Sequence, residues 1–337
     1  MDFQSRRTSH HPFRRTFCAA LALAGLSLAV AAPGARADTW PSKPIKYVVP
    51  FSPGGVSDAT ARIVAEGLTQ RLGQPVVIDN KPGVSGILGT QFVSRAEPDG
   101  YTIMGGTITT HAVNPFFYKK LGYDPVKDFV AVNLVGTVSN VLVVANDSQY
   151  KSVDQIVAAL KAKPGSLTFG TAGPGSSQQL SGQLFQSITG TQLQQISYKG
   201  GAAAMTDLIG GQIDLVFETV AAAKPMLDGK RVRAIGVTSK HALPGLPGVQ
   251  PLADLGLKNF EMQSWQGIFA PAGTPKPIVD RLANEIAAVV ATPAVQQRLR
   301  ALGVEPEGKT SAAFSTFQRA EVSKWGKIIQ GAGVVPE

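Results

Sequence analysis

Ile45-Lys46-Tyr47-Val48-Val49-Pro50-Phe51-Ser52-Pro53-Gly54-Gly55-Val56-Ser57-Asp58 decides how the rest of this chain is read. An apolar strand, Ile45 to Val49, empties into a turn rich in Pro and Gly and then into a helix. The first N–H groups of a helix have no partner inside it and carry about half a positive charge, and glycines let a solute reach the backbone. The stretch is therefore an anion cradle that needs no charged side chain. Loops of the same kind recur at Lys81 to Gly86 and Thr171 to Ser177. Each could be a strand-to-helix turn and nothing more, with Ser57, Ser176 and Ser177 as caps, Asp58 favouring the helix dipole and Phe51 in the core. Three in one chain point to binding of a small anion before catalysis.

Outward from this segment, short β-branched runs alternate with helical patterns. Strands are expected at Val76 to Ile78, Tyr101 to Met104, Val141 to Ala145, Leu167 to Phe169, Ile196 to Tyr198, Ile213 to Phe217, Val232 to Val237 and Gly267 to Ala270. Ser152, with Gln155 three residues on, predicts a capped helix whose buried stripe is Val153, Ile156, Val157 and Leu160. A second helix starts at Pro277, and a last one carries Phe314, Phe317, Trp325, Ile328 and Ile329. Such alternation predicts an α/β fold with helices over both faces of parallel or mixed sheets. The strands at Val141 to Ala145 and Gly267 to Ala270 bracket a run of four others. As a crossing pair they would divide the chain into domain I, residues 38–140 plus 266–337, and domain II, residues 141–265, with a ligand cleft between.

Ahead of the first strand, Arg6, Arg7, Arg14 and Arg15 precede an apolar run from Phe17 to Ala32, and Ala35-Arg36-Ala37 supplies small residues for a peptidase. This reads as an export signal over residues 1–37, cut after Ala37. The run is shorter than the roughly 20 residues of a spanning helix. Arg14-Arg15-Thr16-Phe17 partly matches a twin-arginine signal, so the export route stays open. Cys18, the single cysteine of the sequence, falls within the signal, so the mature chain has no disulfide and no thiolate chemistry. The signal also holds five of the 32 Lys and Arg but one of the 23 Asp and Glu, leaving 27 against 22, a net +5. With no basic run in the mature part, nucleic acid is not an expected partner.

Enzyme signatures fail on physical grounds. Gly303-Val304-Glu305-Pro306-Glu307-Gly308-Lys309-Thr310 matches a phosphate loop by letter, yet it follows a helical pattern and would set Glu305 and Glu307 against phosphate. It is read as a connector between two helices. His111 and His241 are the histidines of the mature chain and suggest no metal pair, and Gly-x-Ser-x-Gly is absent. A hydrolase would need Ser176 or Ser177 beside His111, which reads instead as a loop residue before Asn114-Pro115. No cofactor, metal or catalytic residue is expected.

Over the mature sequence the chain resembles the Bug or TctC-type receptors of tripartite tricarboxylate transport systems. The resemblance rests on Pro41-Ser42-Lys43-Pro44-Ile45, on Val49 to Gly55 with Asp58 and Arg62, and on Asn80-Lys81-Pro82-Gly83, Glu97 to Thr102, His111 to Pro115 and Tyr123 to Phe129. Tyr198-Lys199-Gly200, Asp207 to Asp214, Ala270 to Pro275 and Lys324-Trp325-Gly326 extend it. It implies a type II periplasmic-binding-protein-like fold, two α/β domains joined by two crossing strands, that closes on a small carboxylate and delivers it to integral membrane permease subunits, acting as a monomer. A receptor that signals to a membrane kinase is the alternative, and an enzyme acting on a small acid the weakest. The residues implied in ligand binding are Phe51, Ser52, Gly54, Gly55, Ser57 and Asp58, then Gly83 and Ser85, then Thr171, Gly173, Ser176 and Ser177. Glu218 would face the distal part of the ligand. Departures from the family pattern fall at Gly83-Val84-Ser85-Gly86, at Glu218, and at Gln179 and Gln183, so distal specificity is where this chain is expected to differ.

Overall fold

The computed structural model describes residues 1–2 and 40–336. The expected export signal, with its expected cleavage after Ala37, lies outside the described residues. The chain divides into a leading unit, Met1–Ser42, and a body, Lys43–Glu337, which holds every strand and helix found among the described residues. Among the described residues no helix is long and apolar enough to cross a membrane.

Ten strands form one mixed sheet. They are β1 (Ile45–Val49), β2 (Val76–Asn80), β3 (Thr102–Thr107), β4 (Phe129–Ala145), β5 (Thr168–Thr171), β6 (Gln194–Ser197), β7 (Leu215–Thr219), β8 (Val232–Val237), β9 (Gln263–Pro271) and β10 (Val304–Lys309). The order is β2-β1-β3-β9-β4-β7-β5-β6, with β8 and β10 also paired to β4. The outer triplets run parallel, β1 with β2 and β3, and β5 with β6 and β7. Both triplets meet β4 or β9 through antiparallel pairs.

β4 organises the sheet. From Phe129 to Ser139 it pairs with β9, and from Leu134 to Val138 with β10. From Asn140 onward its partners are β7 and β8. A single 17-residue strand thus changes neighbours midway. Only its last five residues were expected as strand.

The helices are α1 (Val56–Leu72), α2 (Ile87–Ser94), α3 (Val153–Ala162), α4 (Ser177–Thr189), α5 (Gly201–Ile209), α6 (Val220–Asp228), α7 (Lys276–Val290), α8 (Pro293–Ala301) and α9 (Ser311–Gly331). α3 starts where its cap predicts: Ser152 Oγ accepts the Gln155 N–H, while Gln155 Oε1 accepts the Lys151 N–H. This reciprocal pair settles one open donor of the helix's first turn and the N–H just ahead of the cap. In the core, Trp265, Phe269 and Phe314 are fully buried, and the Trp265 and Phe314 rings meet edge to face at 5.6 Å. Full burial stabilises such side chains by roughly 1.5–3 kcal/mol each.

One expectation is corrected. Gly303 to Thr310 is no connector between helices, because Val304–Lys309 is a strand lying antiparallel on β4, with a register shift after Pro306. Proline has no N–H to give the ladder, so this segment suits a strand whose pairing is interrupted there. Extended backbone also cannot wrap a phosphate.

Candidate functional site

The candidate site is built from loops at the carboxyl ends of parallel strands, where open α/β sheets leave room for ligands. The first loop, between β1 and α1, is exposed from Ser52 to Gly55. Gly54 has a φ of 89°, a left-handed conformation that glycine adopts without strain. Gly55 is the N-cap of α1 and has no side-chain cap bond, so first-turn donors at Val56 and Ser57 remain open. Asp58 lies buried behind the loop as its brace: Oδ2 accepts the Gly54 N–H at 3.0 Å, and Arg62 grips both carboxylate oxygens at 3.0 Å. Asn80, at the end of β2, donates from Nδ2 to Asp58 Oδ1 at 2.9 Å and to the Phe51 carbonyl at 3.1 Å. The Arg62 guanidinium, with help from Gly54 and Asn80, brings the Asp58 carboxyl down to about 2 against the cost of burial.

The second loop, Lys81 to Gly86, folds onto the first. A methyl group at Gly86 would stand 3.2 Å from Phe51 Cζ, so the Phe51 ring packs against that glycine. Ser85 has a φ of 48°, its hydroxyl meets the Tyr118 hydroxyl at 2.8 Å, and its carbonyl accepts from Asn114 Nδ2 at 3.0 Å. Gly83 is exposed and in extended conformation.

The third loop, Thr171 to Ser177, follows β5. Thr171 is fully buried, and Gly173 turns the chain with a φ of 103°. Ser176 caps α4 by accepting the Gln179 N–H at 3.3 Å, and Gln179 Oε1 takes the Gly175 N–H at 2.8 Å. These side chains occupy donors that a ligand would otherwise meet. Ser177 Oγ accepts from Asn140 Nδ2 at 3.1 Å, and Asn140 also donates to the Phe217 carbonyl at 2.9 Å.

The first two loops and the third come together through a short π-helical turn, Thr109–Val113. Thr109 Oγ1 donates to the Gly175 carbonyl at 3.2 Å. A cavity of about 170 Å³ adjoins this meeting point, lined by Phe117, Tyr118, Pro174, Gln179, Val334 and Val335.

Glu218, in β7, is buried and asymmetric. Oε1 accepts the Thr219 N–H at 2.7 Å and Gln178 Nε2 at 3.1 Å, with the Thr219 hydroxyl at 3.2 Å. Oε2 is buried and has no partner. Burial raises the pKa of this carboxyl, against hydrogen bonds from Thr219 and Gln178 that lower it.

His111 makes no hydrogen bond to Ser176 or Ser177. It is fully buried, stacked on Phe269 with ring centroids 3.7 Å apart, and its Nδ1 lies 2.9 Å from Thr110 Oγ1. A core ring of this kind orients no serine. Among the described residues, no group of three or more His, Cys, Asp or Glu is placed to hold a metal ion.

Asn140, Thr109, Gln178, Tyr118 and Gly201 were not anticipated as site residues. Asn140 carried a usable signal, since an amide inside a run of Val and Leu must find buried partners. The others are brought in by pairings that span tens of residues.

The family model described as "Tripartite tricarboxylate transporter family receptor" matches residues 60–334. A Pseudomonas (strain P51) protein described as "UPF0065 protein in tcbD-tcbE intergenic region" is 39% identical, over 91% of this chain and 92% of that one. Among solved structures, the R. palustris protein Rpa4515 with adipate superposes with a TM-score of 0.77 at 34% identity, covering 88% of this chain and all (100%) of that one. The periplasmic binding protein BugD gives a TM-score of 0.74 at 34% identity, again over 88% of this chain and 100% of that one.

Proposed function

The chain belongs to the tripartite tricarboxylate transporter receptor family, and on that premise we propose that it captures a small carboxylate by closure of two lobes and hands it to integral membrane permease subunits. The family and the type II-like fold are those of periplasmic solute-binding receptors, not of enzymes. The lobes of this proposal are residues 38–140 with 266–337, and residues 141–265, the protein acting as a monomer.

The observation that carries the reading is the uncapped start of α1 behind Gly54 and Gly55, whose first-turn N–H groups meet no side-chain cap. A carboxylate is the group that suits such donors. Phe51 would wall one side of it. Ser52 and Ser57 from the first loop, with Ser177 from the third, would supply further hydroxyl donors. The change of partners along β4 at Ser139 and Asn140 supports a hinge there. Closure follows if the ligand binds both loop sets together more tightly than either alone. The adipate-bound relative supports a carboxylate of this general size.

Thermal denaturation of the purified protein against mono-, di- and tricarboxylates, aromatic acids, amino acids and Mg-ATP tests the proposal. A ligand at a hundred times its Kd adds about 2.7 kcal/mol, several degrees for a chain this long. Stabilisation by one carboxylate class is the expected outcome. Stabilisation by Mg-ATP alone, or turnover of the bound acid, would sink it.

A further inference from the structure

The chain is turned back where α9 ends. Gly333, with a φ of 72°, donates its N–H to the Gln330 carbonyl at 3.0 Å, and the Val334 N–H reaches the Ile329 carbonyl at 3.4 Å. These are the two bonds of a Schellman turn, which glycine permits at this position and which folds the next residue onto the helix's last turn. Val334 is half-buried there, packed against the core. The helix that carries it is firmly seated. Trp325 and Ile329 are fully buried, and the Phe116 ring lies so close to Gly326 that an added methyl group would stand 2.6 Å from Phe116 Cζ. The direction of the tail beyond α9 is therefore set by the fold.

That direction leads to the place where the loops meet. Val334 and Val335 line the cavity of about 170 Å³ beside the Thr109–Gly175 contact, together with Phe117, Tyr118, Pro174 and Gln179. Phe117 and Tyr118 belong to the first proposed lobe, Pro174 and Gln179 to the second, and the tail is carried by the first. Val335 is nonetheless 75% exposed. We propose that the C-terminal tail is a strap: when the lobes close on a solute, Val335 moves from water into this cavity and ties the lip at Pro174 to the lip at Tyr118.

The walls of the cavity suit an aliphatic side chain. Phe117, Pro174 and Val334 are apolar, and the two polar side chains already have partners. The Tyr118 hydroxyl meets Ser85 Oγ at 2.8 Å, while Gln179 accepts the Gly175 N–H at 2.8 Å and donates to Gln195 Oε1 at 3.2 Å. An isopropyl group entering there strips no polar group of its hydrogen bonds. A cavity of this volume also has room for it. Because Val335 stands in water in the absence of solute, its burial counts toward the closed state alone, and a contact made in one state shifts the equilibrium toward that state. The strap thereby tightens the hold on whichever solute the loops grip without touching the solute itself.

This inference rests on the receptor reading and is separable from it. Butyrate, benzoate, adipate, malate and citrate are titrated calorimetrically into the full protein and into its Val335→Ser and Val335→Ile variants. For each acid that binds the unaltered protein, Val335→Ser should raise Kd about 3- to 10-fold, the effect of burying half a valine side chain, and leave the ligand-free Tm unchanged. Val335→Ile should keep the affinity. In a Cys18→Ser background, Val335→Cys carries the sole thiol of the chain, and its alkylation by iodoacetamide should slow about fivefold or more at saturating acid. An unchanged Kd for Val335→Ser, a lower ligand-free Tm in place of a higher Kd, or a thiol alkylated equally fast with and without acid overturns the strap and leaves the receptor standing. If none of these acids binds, the receptor reading falls and the strap with it.

Discussion

Asp58 Oδ2 accepts the Gly54 N–H at 3.0 Å, so a buried carboxylate one turn into α1 fixes the glycine at the tip of the first loop. The same carboxylate is held by Arg62 and Asn80. Asp58 therefore shapes the loop from behind. Replacing it by Ala removes the acceptor of the Gly54 N–H and one of the two acceptors of the Asn80 amide, a loss of about 1–3 kcal/mol in urea denaturation at neutral pH. Carboxylate affinity should fall with it, because the open donors of α1 lose their position. Since the folded carboxyl is lowered from 3.8 to about 2, its stabilisation is complete above the upper value and disappears as pH falls through the lower one. Asp58→Ala should lack that acid-dependent loss. Equal stability of the two proteins at neutral pH would contradict the bracing role.

A second pH effect has the same direction but a different window. His111 is buried without a partner on Nε2, and burial lowers its pKa from 6.5 to about 3. The folded protein keeps the ring neutral while the unfolded chain binds a proton, so stability is full above pH 6.5 and declines as pH falls toward 3. The slope is about 1.4 kcal/mol per pH unit for one group. His111→Asn should be less stable at neutral pH, having lost the stack on Phe269, yet show a slope shallower by about that amount. Urea midpoints at several pH values for both proteins check it; identical slopes would mean that His111 does not hold the neutral form.

The range of each interaction decided whether the sequence disclosed it. The cap at Ser152 and the turn from β1 into α1 are local, and both are legible in a few consecutive residues. The first twelve residues of β4 were not. Asn133, Thr137, Ser139 and Asn140 break its apolar run, yet all four are buried. Their partners come from far along the chain: Asn133 donates to the Ala283 carbonyl, and Gln263 Nε2 donates to Thr137 and Ser139. A polar residue with a distant partner looks like a loop residue until the partner is in place. β10 was hidden for a related reason, since Glu305, Pro306, Glu307 and Gly308 have little strand propensity and become a strand by pairing with β4. At the site, the glycines and hydroxyls were readable as a loop chemistry. The division of labour between Asp58 as brace and Ser176 as cap needed the third dimension.

Gly201→Ala sets two known effects against each other. In an exposed helix, Ala is favoured over Gly by about 1 kcal/mol. Here the added methyl would fall 2.1 Å from Glu218 Oε2 and 2.9 Å from its Cδ, and displacing a buried carboxyl typically costs about 1–3 kcal/mol. The net expectation is destabilisation, read as a lower Tm. A rise in Tm would show that Glu218 can move aside freely and is not held at the start of α5.

Thr109→Val tests whether the contact between the loops belongs to the captured state. Thr109 lies in the proposed first lobe and Gly175 in the second, and the hydroxyl donates to the carbonyl at 3.2 Å. Valine keeps the shape of threonine and removes the donor. A single hydrogen bond of this kind contributes about 0.5–1.5 kcal/mol. If it forms only when the lobes close, its loss leaves the unliganded protein nearly as stable as before. The closed complex then loses that increment, and Kd rises about 2- to 10-fold. Calorimetric titration with whichever carboxylate stabilises the unaltered protein, beside thermal denaturation without ligand, separates the cases. A drop in ligand-free stability with no change in Kd would assign the contact to the resting architecture, since a bond present in both states cannot favour capture.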